Sequence, residues 1–192
     1  MLDMDDEQVQ VLNFSARLIS KKKDDALRKF VVSFYLFDQT MQIFESPEPN
    51  SGFQAGKFLQ KCRPRNEETG HLFTPQDFYV GAKIKVVGRV FELTDAAELA
   101  FGLMESNPDE FPESDISIIL PKVKGIALSK GWDLRNMFEK EVHRKVVTTD
   151  AAKSVMMKFV PDITKHAAIT VARAFDRDGE FQYEDMLKYL NL

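Results

Sequence analysis

The sequence predicts an α+β protein in which a strand-rich first half precedes a helical second half. Up to about residue 95, short runs rich in Val, Ile, Phe and Tyr alternate with turn residues, as in antiparallel sheets. From Trp132 onward, apolar residues instead recur every three or four positions, which is the spacing of amphipathic helices. With 44% hydrophobic and 11% aromatic residues, the chain carries enough apolar surface to build folded cores.

The first predicted strands follow directly from the apolar runs. Residues 9–19 alternate loosely between apolar and polar side chains, as a half-buried strand does. Residues 30–37 are almost continuously apolar, which is typical of a strand covered on both faces or of a very hydrophobic sandwich strand. Asp38-Gln39 separates them from residues 40–44, and this spacing predicts a tight hairpin.

Two more strands and a helix complete the predicted first domain. Residues 57–61 resume an extended pattern after a Pro- and Gly-containing break. Residues 82–86 and 90–94 alternate in register around Gly88-Arg89 and form the clearest predicted hairpin. Residues 96–105 then switch to helical spacing, so we expect a helix to close the strand-rich domain.

The rest of the chain divides into a predicted connector and a helical module. Residues 107–131 hold several Pro and Gly residues around a short apolar stripe, which predicts a connector with one short helix between residues 1–106 and 132–192. The last segment carries four amphipathic stripes, two of them with predicted caps at Thr149 and Asp162. Four short helices with irregular links indicate two helix–loop–helix units.

Composition limits the partners and compartment that we expect. The 26 basic and 30 acidic side chains give a net charge of −4, so the basic footprint of a general nucleic-acid binder is missing. Cys62 is the single cysteine and cannot form an internal disulfide, which is typical of a reducing compartment. The N-terminus is acidic, and no apolar run approaches the roughly 18 residues that span a bilayer. We therefore expect a cytoplasmic protein without nucleic-acid or membrane partners.

The most specific local motif is an acidic loop that resembles an EF-hand calcium loop. Such a loop needs oxygen ligands at its first, third, fifth and twelfth positions and a Gly at the sixth. If Asp176 takes the first position and Phe181 the apolar eighth, two residues are missing, and an Asp stands where the longer Glu should close the loop. The candidate ligands are Asp176, Asp178, Glu180 and Asp185.

The matching loop of the first helical unit departs further from a calcium site. Val147 aligns with Phe181, so the two could face each other across the short bridge that pairs such loops. The residues before it are His143, Arg144 and Lys145, which place cations where carboxylates should stand. We expect a degenerate EF-hand pair that keeps its fold without an ion; the alternative is a weakened calcium site that makes the protein a calcium-responsive adaptor.

No catalytic constellation emerges from the sequence, so we expect neither an enzyme nor a cofactor. His71, His143 and His166 lie in separate segments, without the spacing of a triad or a zinc site. Cys62 stands between Lys61 and Arg63, which favours a thiolate, but no base or pocket motif accompanies it. No Gly-rich phosphate-binding motif is present.

A basic cluster is the remaining candidate for partner binding. Its cations could face an acidic polymer or an anionic lipid, or they could simply be the solvated end of a hairpin. Alternating Phe53 and Phe58 nearby favour core packing over lipid contact. The cluster consists of Lys57, Lys61, Arg63 and Arg65.

Several distinctive segments of the strand-rich domain resemble one known family. They are residues 30–36, 50–52, 56–59, 78–82 and 91–96. Together they resemble the DM-ten domain of ciliary proteins of the myoclonin and protofilament-ribbon type, a domain that also stands at the front of a ciliary nucleoside diphosphate kinase.

The resemblance implies a fold, a location and a role. The fold is a pleckstrin-homology-like β sandwich or barrel closed by a helix and followed by an EF-hand-like tail. The location is the axoneme of cilia or flagella, inside the doublet microtubules. The implied role is structural, with tubulin protofilaments and other inner proteins as partners; the kinase activity of one branch belongs to a separate domain.

Overall fold

The computed structural model describes residues 10–49, 52–143 and 146–192, and the chain forms two compact units. The first unit ends at Ser106 and the second begins at Asn107. Strands dominate the first and helices the second, so the predicted α+β class is confirmed. None of the helices in the described ranges combines the length and apolarity needed to cross a membrane.

The first unit is a six-stranded antiparallel sheet followed by one helix. The strand order is β4-β3-β2-β1-β6-β5. The elements are β1 (Val11–Ile19), β2 (Phe30–Tyr35), β3 (Thr40–Glu45), β4 (Gly56–Cys62), β5 (Lys83–Val86), β6 (Arg89–Ala96) and α1 (Glu98–Glu105). The closing helix and both predicted hairpins are present. The first hairpin differs from the prediction, because β2 ends at Tyr35, which pairs with Thr40, so the turn spans four residues, 36–39, instead of Asp38-Gln39 alone.

Aromatic contacts show that this sheet is strongly curled. Phe58 lies on β4 and Phe91 on β6, four strand spacings apart, which in a flat sheet would separate them by about 19 Å. Their ring centroids are 5.3 Å apart. Phe30 on β2 lies 5.5 Å from the first ring and 5.1 Å from the second. The sheet therefore closes on an aromatic core as a half-barrel.

Burial along β2 decides between the two predictions for this apolar run. Phe30, Val32 and Phe34 are buried, whereas the residues between them are only half-buried. The strand is therefore covered fully on one face, and the interpretation of a strand buried on both faces is wrong. Its apolar character reflects its place near the middle of the curled sheet.

The turn between β5 and β6 lies one residue earlier than the sequence predicts. Val86 pairs with Arg89, so the two-residue turn is Val87-Gly88, with φ values of 47° and 67°. Left-handed backbone is costly for a β-branched residue, and Asn-Gly is the preferred pair for this turn.

Val87→Asn is expected to stabilise the first unit by about 1 kcal/mol, because Asn tolerates the left-handed conformation and the exposed Val87 side chain is not part of the core. Urea unfolding followed by circular dichroism measures this change. Val87→Ala is the control, since it removes the branch without adding a residue suited to the turn. Unchanged or lower stability of Val87→Asn would contradict the assignment of the turn.

The second unit opens with a helix where the sequence predicts a connector. After a short 3-10 turn at Pro112–Ser114, α2 runs over Ile116–Lys130. Pro121 lies inside it, and Gly131 ends it in a left-handed conformation with φ 65°. The connector prediction for residues 107–131 is therefore corrected. Burial of the helix's apolar face outweighs the backbone hydrogen bond that Pro121 cannot donate.

Four further helices form the predicted pair of helix–loop–helix units. They are α3 (Leu134–Glu139), α4 (Thr149–Met156), α5 (Lys165–Ala174) and α6 (Tyr183–Tyr189). The observed N-caps are Thr148 and Thr164, whose side chains accept from the backbone N–H groups three residues later. The caps predicted at Thr149 and Asp162 are thus displaced by one and two residues. Asp162 instead forms an ion pair with Lys130.

Candidate functional site

The two loops of the helical pair are joined by a short antiparallel bridge. Thr148 pairs with Glu180. The Phe181 N–H donates to the Val147 carbonyl at 2.8 Å, and the Thr149 N–H donates to the Gly179 carbonyl at 3.1 Å. Val147 and Phe181 are both buried, so these two residues do lie beside each other where the loops meet.

The second loop is itself a tight hairpin. β7 (Asp176–Arg177) pairs with β8 (Glu180–Phe181) around the turn Asp178-Gly179. Both turn residues have positive φ, 55° and 84°. This is the Asp-Gly turn that favours two-residue hairpins, and a hairpin follows a different path from a twelve-residue loop wrapped around an ion.

The candidate calcium ligands are engaged with other parts of the protein or point to solvent. The Asp176 carboxylate accepts a short hydrogen bond from the Thr149 hydroxyl. Asp185 accepts from Arg177 at 2.9 Å and from Lys188 at 3.2 Å. The remaining two candidates, Asp178 and Glu180, are exposed. The described residues contain no group of three or more His, Cys, Asp or Glu side chains that could hold a metal ion.

Backbone pairing also flanks the first loop. His143 and Val146 form a bridge, with the His143 N–H donating to the Val146 carbonyl at 2.8 Å and the reverse bond at 3.1 Å. Arg144 and Lys145, which the sequence places where ligands should stand, lie outside the described residues. Backbone pairing therefore fixes this loop on both sides of those positions.

Aromatic rings pack against Phe181, one of the residues beside the bridge between the two loops. Phe138 on α3 stacks on Phe181 with ring centroids 5.2 Å apart and on Tyr183 at 6.0 Å. Phe175 contacts Phe181 edge-on at 6.2 Å. The bridge therefore rests on the same apolar core that packs the helices.

The predicted basic cluster does not form one patch. Lys57 pairs with Phe44 and Cys62 with Met41, so Lys57 and Lys61 lie toward opposite ends of β4. Arg65 donates to the Gly70 carbonyl at 3.0 Å. The structure brings together only Lys61 and Arg63, which both contact the β2–β3 turn.

Polar contacts fix that turn to β4. The Asp38 carboxylate accepts from the Thr40 hydroxyl at 2.5 Å and from the Lys61 ammonium at 2.9 Å. These contacts, the Thr40 hydroxyl first, lower the pKa of Asp38 to about 2. Gln39 accepts from the Arg63 guanidinium at 2.9 Å. Lys61 also lies 4.0 Å from the Tyr35 ring centroid.

Of the three histidines, only His166 is buried. It lies on α5, and its Nε2 atom is 2.8 Å from the Ser114 hydroxyl. Burial disfavours the charged imidazole, and Arg173 repels it, so the pKa of His166 falls to about 4. His71 and His143 are exposed. The geometry therefore assigns His166 a packing role between the 3-10 turn and α5.

Acid is expected to weaken the helical unit through His166. The unfolded chain binds a proton near pH 6.5 but the folded unit only near pH 4, so stability is full above pH 6.5 and falls as pH drops toward 4. The free energy of unfolding is expected to fall by about 3 kcal/mol between pH 6.5 and pH 4. Urea unfolding followed by the fluorescence of Trp132, the single tryptophan, measures it.

His166→Gln provides the matched control for this pH dependence. Glutamine is uncharged, so the difference between variant and wild-type stability curves isolates the histidine from the carboxylates that titrate at lower pH. Parallel curves for the two proteins between pH 6.5 and pH 4 would contradict the assignment.

Comparison with known proteins places this chain in a family through its strand-rich part. The DM10 domain model matches residues 1–100, more than half of the chain, and the protein therefore belongs to the DM10 domain family. This is the DM-ten domain that the sequence motifs resemble.

The similar proteins are longer than this chain, and most of this chain matches one part of each of them. EF-hand domain-containing family member C2 of Bos taurus is 34% identical over 174 residues, covering 85% of this chain and 24% of the relative. The Danio rerio protein of that name is 30% identical, with 86% and 23% covered. EF-hand domain-containing protein 1 of Mus musculus is 36% identical over 114 residues, covering 57% and 18%. The chain thus spans about a quarter of the length of the first two relatives.

Proposed function

We propose that this protein is a non-catalytic structural component of the ciliary or flagellar axoneme that binds the luminal wall of doublet microtubules and neighbouring inner proteins. Membership of the DM10 family and similarity to EF-hand domain-containing proteins support the proposal. The sequence motifs resemble ciliary members of that family. In this role the sheet unit and the helical unit each offer a folded surface to the filament.

The observation that carries the proposal is the closure of the helical pair by its own contacts. The Thr148–Glu180 bridge, the stacked ring of Phe181 and the ion pair between Arg177 and Asp185 hold the two loops without an added ligand. Such a unit keeps one shape at any calcium concentration, which suits a permanent brace. A switch needs two states of differing affinity, and these contacts favour one.

Fractionation of ciliated cells that express the tagged chain tests the location. We expect the protein to stay with doublet microtubules after detergent and high-salt washes, because a luminal protein is enclosed by the tubulin wall. A protease added to intact doublets should spare the tag while it trims the exposed tails of tubulin, which serve as the internal control. Release of the chain with the detergent-soluble proteins would contradict the proposal.

Calcium is expected to leave the conformation of the helical unit unchanged. This result would distinguish a permanent structural component, here called the brace, from a calcium-responsive adaptor. Backbone amide resonances of Asp176, Asp178, Glu180 and Asp185 should not shift up to millimolar calcium. Asp185 is paired with cations, Asp176 accepts from the Thr149 hydroxyl, and the described residues bring no three candidate ligands together.

A charge-removing variant controls the calcium experiment. Arg177→Ala frees one side of Asp185 and tests whether that pairing alone blocks an otherwise competent site. Saturating resonance shifts in the wild-type chain would contradict the brace and favour the adaptor. Shifts in the variant alone would show that Arg177 prevents calcium binding in the wild-type chain. That result would leave the proposed structural role unchanged.

A further inference from the structure

The β2–β3 turn presents an exposed aromatic ring. Phe37 is 82% exposed, although its neighbours on β2 fill the core. Single exposed apolar residues are common, and Leu99 on α1 is 87% exposed. Phe37 differs because the turn that carries it is held in place from β4. We call the group of residues 36–39, Lys61 and Arg63 the hairpin tip.

Several polar contacts within the sheet unit hold the hairpin tip. Asp38 is fixed by the Thr40 backbone N–H at 3.1 Å, by the Thr40 hydroxyl and by Lys61. Gln39 holds a left-handed conformation with φ 51° and accepts from Arg63. Because the turn is already ordered, docking through Phe37 loses little conformational entropy.

The hairpin tip also carries a net positive charge. Lys61 neutralises Asp38, whereas Arg63 donates to the uncharged amide of Gln39, so the tip has a net charge of one cation. The whole chain has a net charge of −4, so an acidic partner is attracted only where the local charge is positive. Phe and Arg are both enriched in protein interfaces relative to the rest of the protein surface, and Arg is among the residues that most often dominate the binding energy.

We propose that the hairpin tip is a docking point for an acidic protein surface with an apolar recess, in which the Phe37 ring enters the recess and Arg63 contacts the acidic rim. The inference rests on the proposed function, since it names the part of the sheet unit that meets the filament wall or an inner protein. A membrane is the less suitable partner, because lipid-binding segments generally gather about four to eight cations. Here two cations, Lys61 and Arg63, contact the turn.

Photo-crosslinking in ciliated cells tests this docking point. The full chain carries p-benzoylphenylalanine in place of Phe37, and Leu99, equally exposed on α1, carries it in the control. We expect position 37 to crosslink to an acidic segment of one axonemal protein, and Arg63→Glu to remove that crosslink. A crosslink to lipid or to a second copy, or none at all, would overturn the proposal.

Binding variants give the second measurement. Phe37→Ala and Arg63→Glu should each lower axonemal occupancy about tenfold relative to wild type, whereas Leu99→Ala should leave it unchanged. All three residues are exposed, so melting temperatures should match the wild type. Wild-type levels of both tip variants in the axoneme would overturn the docking point but keep the proposed function. Absence of the wild-type chain from axonemes would instead overturn the proposed function.

Discussion

Arg28→Ala is expected to destabilise the sheet unit by about 3–5 kcal/mol, because it leaves two buried carboxylates without their cation. The Arg28 guanidinium donates to both Glu45 oxygens at 2.7 and 2.8 Å and to Asp25 at 3.0 Å. The guanidinium carbon of Arg28, Cζ, also lies 4.4 Å from the Phe53 ring centroid. The hydrogen bonds to Glu45 and then to Asp25 raise the pKa of Arg28, so it stays charged. Urea unfolding followed by far-ultraviolet circular dichroism measures the loss.

The neighbouring ion pair supplies a matched control for Arg28. Lys29 lies 2.7 Å from Glu48, but its side chain is 70% exposed, so Lys29→Ala should cost only about 0.5 kcal/mol. Arg28→Lys should fall between the two, since an ammonium keeps the charge but cannot replace the two-pronged contact with Glu45. Equal costs for Arg28→Ala and Lys29→Ala would show that the buried cluster does not stabilise the sheet.

Phe181→Ala is expected to destabilise the helical unit by about 3–5 kcal/mol, since it removes a large buried side chain from the stack beneath the bridge. Its ring contacts Phe138 and Phe175, and its backbone N–H forms the bond to Val147. Trp132 belongs to the same unit, so its fluorescence follows this transition.

An exposed leucine controls for general effects of truncation. Leu128 on α2 is largely exposed, and Leu128→Ala should change stability by less than about 0.5 kcal/mol. If the loops were instead held by an ion, calcium would restore much of the stability that Phe181→Ala loses. Restoration by calcium would therefore contradict the ion-independent bridge.

Most of the fold was predictable because its elements carry strong local signals. Alternating residues indicate both hairpins, although the observed turns, residues 36–39 and Val87-Gly88, differ from the predicted Asp38-Gln39 and Gly88-Arg89. Period switches mark α1 and the last four helices. The exception is α2, in which Pro121 and Gly125 suggest a break. Only tertiary burial of its apolar face shows that the helix continues, and a local pattern does not report that burial.

The candidate site was harder to predict, because its contacts join residues far apart in sequence. The Asp178-Gly179 turn is a strong hairpin signal, but the surrounding carboxylates favour interpretation as a calcium loop. The contact between Arg28 and Glu45, and the one between Gln39 and Arg63, depend on strand register. The alternation of apolar and polar residues predicts which face of a strand is buried. It does not predict whether a turn residue such as Phe37 is exposed.

The most direct test of a brace within the axoneme is an electron cryo-microscopy map of doublet microtubules from cells that express the tagged chain. We expect density for a curled six-stranded sheet and for a helical pair on the luminal face of the tubulin wall, the same with and without calcium. Density on the outer surface, or doublets that lack the chain altogether, would contradict this expectation.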